Sequence, residues 1–491
     1  MVMGPNSGID RPFAATDGHP ENQDPLAPQD AQFEESKLDA AFLLEPLISA
    51  ASEPPLPTAA PAVSEPETGP CLNWLFVDLN SYFASVEQQV RPELRGRPLG
   101  VVPMMADTTV CIAASYEAKA FGVRTGTVVA DARRLCPNIV FVEGRHELYT
   151  EFHHRIVEAV ESCLPVTAVL SIDEMACRLM GRERPLLAAM DLGRRVKARI
   201  VERVGPMLRS SVGLATNRYL AKIASDMEKP DGLVALPLDI LPEALSCLTL
   251  RDLPGIGART EKRLNDKGIT TMSQLLALNC EQAGELWGSV WGQRLWHWLQ
   301  GEDFEMAEQE HLKSISHSHV LAPEMRTAEK AWAVAHKLLH KAAMRLRAAN
   351  LWTPSIGLAV GFAVPRSEKA PVSRFGVPTR GWHSEIRLSE CQDNPTLIAA
   401  LSRLWASRPS GAEYDQPYFI GVQLNGLVPD HLHSLNLFDA LDGEQSRARL
   451  LKAMDELNNK YGLSTLAPAT MLSAYKAAPT RIAFHNIPDL F

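Results

Sequence analysis

Trp74-Leu75-Phe76-Val77-Asp78 and Val169-Leu170-Ser171-Ile172-Asp173-Glu174 are the stretches on which the fold turns. Each is a short apolar run finished by acid, which predicts a buried strand with a carboxylate at its end. A carboxylate is costly to bury unless a cation receives it. Two such strands side by side would bring Asp78, Asp173 and Glu174 to one point, and hard oxygen donors in that number suit Mg²⁺ ions handling phosphate.

Outward from these runs, Leu72 to about Pro237 alternates short apolar strands with amphipathic stretches, an α/β pattern. Ser81 to Val90 reads as a helix with Ser81 near its start, and Met190 to Val204 as a longer basic helix. Beyond Pro242 the pattern turns helical, with Leu253-Pro-Gly-Ile-Gly257 between two helices and a run of tryptophans (287, 291, 296, 298) at spacings of a helical core. A helix over Ala328 to Ala349 then alternates with strands such as Ser355 to Phe362 and Tyr418 to Leu424, a small α+β unit. Past Pro429 the chain is irregular apart from a helix over Gln445 to Tyr461.

With 491 residues, 46% of them hydrophobic, the chain has room for roughly two to four domains with cores of their own. No apolar run approaches the roughly 18 residues of a membrane span. The N-terminus lacks the basic, apolar, small-residue order of a secretory signal, so the expected location is cytoplasmic. Eight cysteines without a CxxC pair argue against structural zinc and against a disulfide framework. The net charge of −9 looks hostile to nucleic acid, but it is concentrated in residues 1–70, where twelve Asp and Glu face only Arg11 and Lys37. Residues 311–428 carry fourteen Lys and Arg against eight Asp and Glu, a locally basic module compatible with DNA binding. The Pro- and Ala-rich composition of 1–70 predicts a disordered tail, with Leu38 to Ile48 able to form a short helix on a partner.

Phe76-Val-Asp-Leu-Asn-Ser-Tyr-Phe-Ala-Ser-Val-Glu87 resembles the first catalytic motif of the Y-family translesion DNA polymerases, and Ser171-Ile-Asp-Glu-Met175 resembles their second. The resemblance implies two Mg²⁺ ions held by Asp78, the Leu79 carbonyl, Asp173 and Glu174, one activating the primer 3′-hydroxyl and the other clamping the triphosphate. Ala113-Ala-Ser-Tyr116-Glu-Ala-Lys119-Ala-Phe-Gly-Val123 is similar to the family's fingers segment, which implies triphosphate contacts from Tyr116 and Lys119. Many members carry Arg at the latter position, whose fork a lysine does not reproduce. Ser211-Val-Gly-Leu-Ala-Thr-Asn-Arg-Tyr-Leu-Ala-Lys222-Ile-Ala-Ser-Asp226-Met-Glu-Lys229-Pro-Asp-Gly232 resembles the palm helix, with Lys229 as a further triphosphate contact. Lys222 and Asp226 are spaced for an ordinary i,i+4 ion pair. Phe83 stands where the family places an aromatic gate against a 2′-hydroxyl.

The segment from Leu253 to Gly257, followed by Arg259, Lys262 and Arg263, looks like the helix-hairpin-helix of a thumb. Gly255, Gly257 and Arg259 would meet a DNA phosphate there, a contact that positions without reading sequence. Leu435, Leu437 and Phe438 resemble a sliding-clamp peptide, although Ser434 replaces its usual glutamine. The implied fold is an α/β and α+β multidomain right-hand polymerase. Its parts are a disordered tail (1–70), palm and fingers (71–240, fingers about 94–143), a helix-hairpin-helix thumb (241–307), a little finger (308–428) and a C-terminal tail (429–491). The implied activity is low-fidelity extension of a primed template with dNTPs in DNA damage tolerance, with a sliding clamp and an auxiliary mutagenesis subunit as partners. Asn80, Lys119 and the tail resemble the UmuC-type branch, while 71–307 resembles polymerase IV equally well. A non-catalytic bridging subunit and a nucleotide cyclase are the alternatives.

Overall fold

Strand β1 (Trp74–Leu79) has all six residues buried, and the rest of the first unit is arranged around it. The computed structural model describes residues 71–107, 109–304, 312–363, 379–411, 414–433, 441–461, 465–466 and 469–474. The tail expected over 1–70, with its Leu38 to Ile48 patch, and the clamp peptide at Leu435, Leu437 and Phe438 lie outside the described residues.

From β1 the chain enters α1 (Tyr82–Val90), then a small sheet of β2 (Leu99–Val102), β3 (Ala113–Ala114) and β4 (Val140–Glu143) that carries α2 (Tyr116–Lys119) and α3 (Val129–Leu135). It returns through α4 (His146–Glu161), β5 (Ala168–Val169), β6 (Glu174–Arg178), α5 (Leu186–Arg203), β7 (Ser210–Ala215), α6 (Arg218–Met227) and β8 (Leu233–Leu236). These strands form a sheet in the order β5-β6-β1-β7-β8, with β1 antiparallel to both neighbours and β7 parallel to β8. The two-residue period of a strand divides β1 between two cores. Leu75, Val77 and Leu79 pack in a cluster with Tyr149 and Ile156 of α4 and Val196 and Ile200 of α5. Trp74 and Phe76 join Leu220, Ile223 and Ala224 of α6. Asp78, two residues beyond Phe76, therefore belongs to the α6 face.

The direction of the second acidic strand differs from expectation. The run Val169 to Ile172 does not close in Asp173-Glu174; β5 stops at Val169, residues 171–173 bend, and Glu174 opens β6. The reason is topological: β6 is antiparallel to β1, so the strand meeting the C-terminal end of β1 must begin there.

Past β8 come short 3-10 turns, then α7 (Ala258–Asp266), α8 (Met272–Leu276), α9 (Cys280–Trp287) and α10 (Val290–Leu299). The first helix expected of the hairpin is only the single turn Leu250–Asp252. Thr249 caps its start and Pro254 holds Leu253 extended, at φ −80° and ψ 125°, so no room remains for more. Trp298 is buried, and Trp287 and Trp291 pack against the same core. This helical region is tied to α6. Asn217, its N-cap, donates from Nδ2 to the carbonyls of Trp298 and Glu302 at 2.9 and 3.0 Å. Tyr219 donates its hydroxyl to the Pro254 carbonyl at 2.9 Å and stacks on Trp298.

The last unit contains β9 (Ser314–Val320), α11 (Ala328–Ala348), β10 (Leu351–Ala363), β11 (Thr379–Cys391), α12 (Asn394–Ala406), β12 (Pro417–Asn425) and β13 (Val428–Pro429). Its main sheet runs β11-β10-β12-β9, all antiparallel, with α11 and α12 packed on it through Leu338, Leu397, Ile356 and Ile420. Helix α13 (Leu441–Tyr461) begins ahead of the expected Gln445 and is pinned by Arg347, whose Nε and Nη2 donate to Asp455 at 2.6 and 2.9 Å. Among the described residues no helix is long and apolar enough to cross a membrane, and all eight cysteines are free.

Candidate active site

The acidic ends of β1 and β6 meet as sequence patterning expected. Asp78 and Glu174 are directly opposed across the antiparallel pair, a register in which like charges repel. What reconciles them is α6. Its Asn217 side chain caps the helix by accepting from Leu220 N, and one turn on Lys222 drops its ammonium between the strands. Lys222 Nζ donates to Asp78 Oδ2 at 2.6 Å and lies 2.7 Å from Glu174 Oε1 and 3.1 Å from Asp226 Oδ2. The i,i+4 pair with Asp226 is thus present, but it is the lesser part of what Lys222 does. Lys229 adds a second ammonium, 2.8 Å from both Asp78 Oδ1 and Asp226 Oδ1.

The titration behaviour follows from this packing. Burial works to raise the Asp78 carboxyl, but Lys222 and Lys229 outweigh it and hold the group below its usual range. Burial likewise opposes the charge on Lys222, yet Asp78, Glu174 and Asp226 push its pKa well above that of a free lysine. Glu174 is raised, first by burial and then by Asp78 and Asp173, with Lys222 opposing. Asp173 is raised by burial, and Ser171 Oγ donates a 2.6 Å bond to its Oδ1. Among the described residues no three Asp, Glu, His or Cys side chains are arranged to close on a metal as they stand. The Lys222 ammonium bridges Asp78 and Glu174. The donor set itself fits a divalent ion: three carboxylates on adjoining strand ends, one of them short of positive charge, beside the last residue of β1, Leu79, whose amide bonds the Asp173 carbonyl at 2.9 Å.

Tyr116 and Lys119 begin and end α2, with Lys119 Nζ 4.4 Å above the Tyr116 ring. Burial and then the like charge of Lys229 depress Lys119, with Asp78 opposing and Arg124 adding to the depression. Phe83, on α1, is buried and stacks on Tyr149 with ring centroids 4.3 Å apart. Gly255, Gly257 and Arg259 sit at the start of α7. Gly255 has φ +86°, which only glycine adopts readily, whereas Gly257 is extended and open to solvent. No side chain caps α7, and Arg259 is exposed beside it.

Two residues escaped the sequence reading. One is the central role of Lys222. The other is Asn80, read only as a likeness to the UmuC-type branch. Its Oδ1 accepts from the amide of Asp231 at 2.7 Å and its Nδ2 donates to Ser211 Oγ at 3.1 Å. That clasp fixes the loop after α6 and so places Lys229.

Models of known families match three parts of the chain: the impB/mucB/samB family over residues 77–226, its C-terminal domain over 312–437, and the thumb domain of DNA polymerase-iota over 251–303. The chain is 35% identical over 405 residues to DNA polymerase IV of Moorella thermoacetica, covering 81% of this chain and 96% of that one. It is 30% identical over 408 residues to DNA polymerase IV of Pelotomaculum thermopropionicum, covering 81% and 95%. The fold is that of a solved Y-family DNA polymerase chimera of Dbh and Dpo4, at 24% identity and a TM-score of 0.57 over 73% of this chain and 99% of that one.

Proposed function

The chain belongs to the Y family of translesion DNA polymerases, and we propose that the carboxylate cluster on β1 and β6 is where it adds deoxynucleotides to a primer 3′ end. It is a DNA-directed DNA polymerase acting on DNA and nucleotides, and its family works with divalent metal ions. The observation that carries the site is the meeting of Asp78 and Glu174, opposed across β1 and β6, with the Lys222 and Lys229 ammoniums, with Asp173 adjoining in the bend before β6 and Tyr116 and Lys119 nearby.

In this reading Asp78, Asp173, Glu174 and the Leu79 carbonyl would hold two Mg²⁺ ions. When bound, the metal supplies Lewis-acid activation of a hydroxyl and neutralises triphosphate charge. Lys229 and Lys119, held near one another by the Asn80 clasp and α2, would take the phosphate tail, with the Tyr116 hydroxyl as a further donor. Phe83, with Tyr149 behind it, would lie under the sugar and exclude a 2′-hydroxyl. Gly255, Gly257 and Arg259 would seat a DNA phosphate at the start of α7, where helix N–H groups favour an anion.

The parts then divide as palm and fingers at 71–240, thumb at 241–307, little finger at 308–428 and tail from 429. Leu435, Leu437 and Phe438 would dock on a sliding clamp, with an auxiliary mutagenesis subunit as a further partner and the cytoplasm as the place of action. Relatives that cover 81% of the chain are named DNA polymerase IV, which favours that branch over the UmuC-type one. A bridging subunit would not need three carboxylates with their counter-ions, and a cyclase would not need the α7 turn. The test is primer extension with Mg²⁺ and dNTPs by wild type and by Asp173→Ala/Glu174→Ala, with folding checked by circular dichroism. Extension that persists in the folded double variant would refute the site.

A further inference from the structure

Behind Phe83 lies a buried assembly with no part in holding metal or phosphate. Phe83 and Glu87 are one turn apart on the same face of α1, and Tyr149, in the first turn of α4, covers both. Its ring lies against Phe83, 4.3 Å between centroids and 14° from parallel, while its hydroxyl donates to Glu87 Oε1 at 2.9 Å. Glu87 and Tyr149 are both 0% exposed. A carboxylate this deep requires a cation, and Arg145, at the start of α4, supplies it through a fork: Nε to Oε1 at 3.0 Å and Nη2 to Oε2 at 2.6 Å. The Tyr149 backbone is held as well, its carbonyl accepting from the Tyr82 hydroxyl at 2.6 Å. Tyr149 is therefore fixed at its ring, its hydroxyl and its main chain.

We propose that Tyr149, locked by Glu87 and Arg145, is a backstop that sets how far Phe83 can retreat and so determines the strictness of ribonucleotide exclusion. The proposal rests on Phe83 being the sugar gate. A 2′-hydroxyl pressing on Phe83 gains room only if the ring moves back, and behind it stands a stacked ring that cannot slide without breaking a hydrogen bond to a buried carboxylate. Close packing makes such a wall effective, because a core does not yield by small continuous shifts. Tyr149, Glu87 and Arg145 are positioning residues: they touch neither nucleotide nor metal, and act through Phe83.

The experiment measures the ratio of kcat/KM for a dNTP to that for the matching rNTP in wild type, Phe83→Ala, Tyr149→Leu, Tyr149→Phe, Glu87→Gln and the double variant Phe83→Ala/Tyr149→Leu. The expected result is a ratio that falls about tenfold or more in Tyr149→Leu, less in Tyr149→Phe and Glu87→Gln, and no further in the double variant than in Phe83→Ala alone, since the two rings act as a unit. Tyr149→Phe retains the ring, so it also serves if the leucine variant does not fold. A Tyr149 series that lowers dNTP and rNTP efficiency in equal proportion overturns the backstop and leaves the gate intact. A Phe83→Ala variant with unchanged ratio overturns the gate itself, and the backstop with it.

Discussion

Lys222→Met removes the ammonium from between the two strands and leaves a side chain of similar length. At an effective dielectric of 20, one charge pair near 2.7 Å is worth about 6 kcal/mol before desolvation, and Lys222 makes two such contacts, at 2.6 and 2.7 Å. Most of that is offset by the cost of desolvating the ammonium, so the net loss on breaking a buried pair is about 3–5 kcal/mol. Lys229 still stands 2.8 Å from Asp78 in the variant, leaving Glu174 as the carboxylate without a cation, which selects the lower end, about 3 kcal/mol. For a unit of this size that corresponds to a drop in Tm of about 6–12 °C. Calorimetry in EDTA measures it. Repeating the scan with saturating Mg²⁺ should narrow the gap, because a divalent ion binding the same carboxylates stabilises the variant, which has lost a competitor for the site, more than wild type. Equal Tm values in EDTA, or a gap indifferent to Mg²⁺, would refute the view of Lys222 as the shared counter-ion of Asp78 and Glu174.

His153 is buried on α4 with Nδ1 2.8 Å from the Ile172 carbonyl, and burial depresses it to about 4. Its folded pKa lies below its unfolded one, so stability is full above about pH 6.5 and declines as pH falls toward 4, by about 3 kcal/mol in total; His153→Gln should flatten that part of a urea-denaturation series against pH. Arg259→Ala should weaken binding to primed DNA of any sequence and lower the slope of log affinity against log salt by about 0.9, as read by fluorescence anisotropy; an unchanged slope would remove Arg259 from the DNA contact.

The chemistry-bearing ends of β1 and β6 were legible from the motifs around them, because a strand closing in an acidic turn residue is common and says little when taken alone. The direction of the second strand was not, since Val169 to Ile172 is too short to say on which side of the acid the strand lies. Lys222 shows the same boundary between local and tertiary information. Its partner four residues away is visible from helical spacing, whereas Asp78 and Glu174 become its neighbours only through the packing of α6 on β1. The Phe83 backstop is drawn from α1 and the start of α4, with no periodic signal linking them. One clue was present: Glu87 falls in phase with Phe83 on a helix whose apolar side is buried, and a charge that deep needs more than its i,i+4 neighbour Arg91, 3.7 Å away. The missing first helix of the hairpin was readable in part, because Thr249 and Pro254 leave space for one turn.

Helix α6 carries on ten residues both Lys222, which reaches the carboxylates, and Tyr219, which bonds the Pro254 carbonyl beside the α7 turn; Asn217 at its cap reaches the end of α10. A ten-residue helix is about 15 Å of stiff rod, and such a rod transmits displacement from end to end. A shift of the Pro254 carbonyl or of the end of α10 would therefore be carried, within about one turn of α6, to the ammonium between Asp78 and Glu174. The helix is in that sense a crankshaft, joining the α7 to α10 region to the charge balance of the carboxylate cluster.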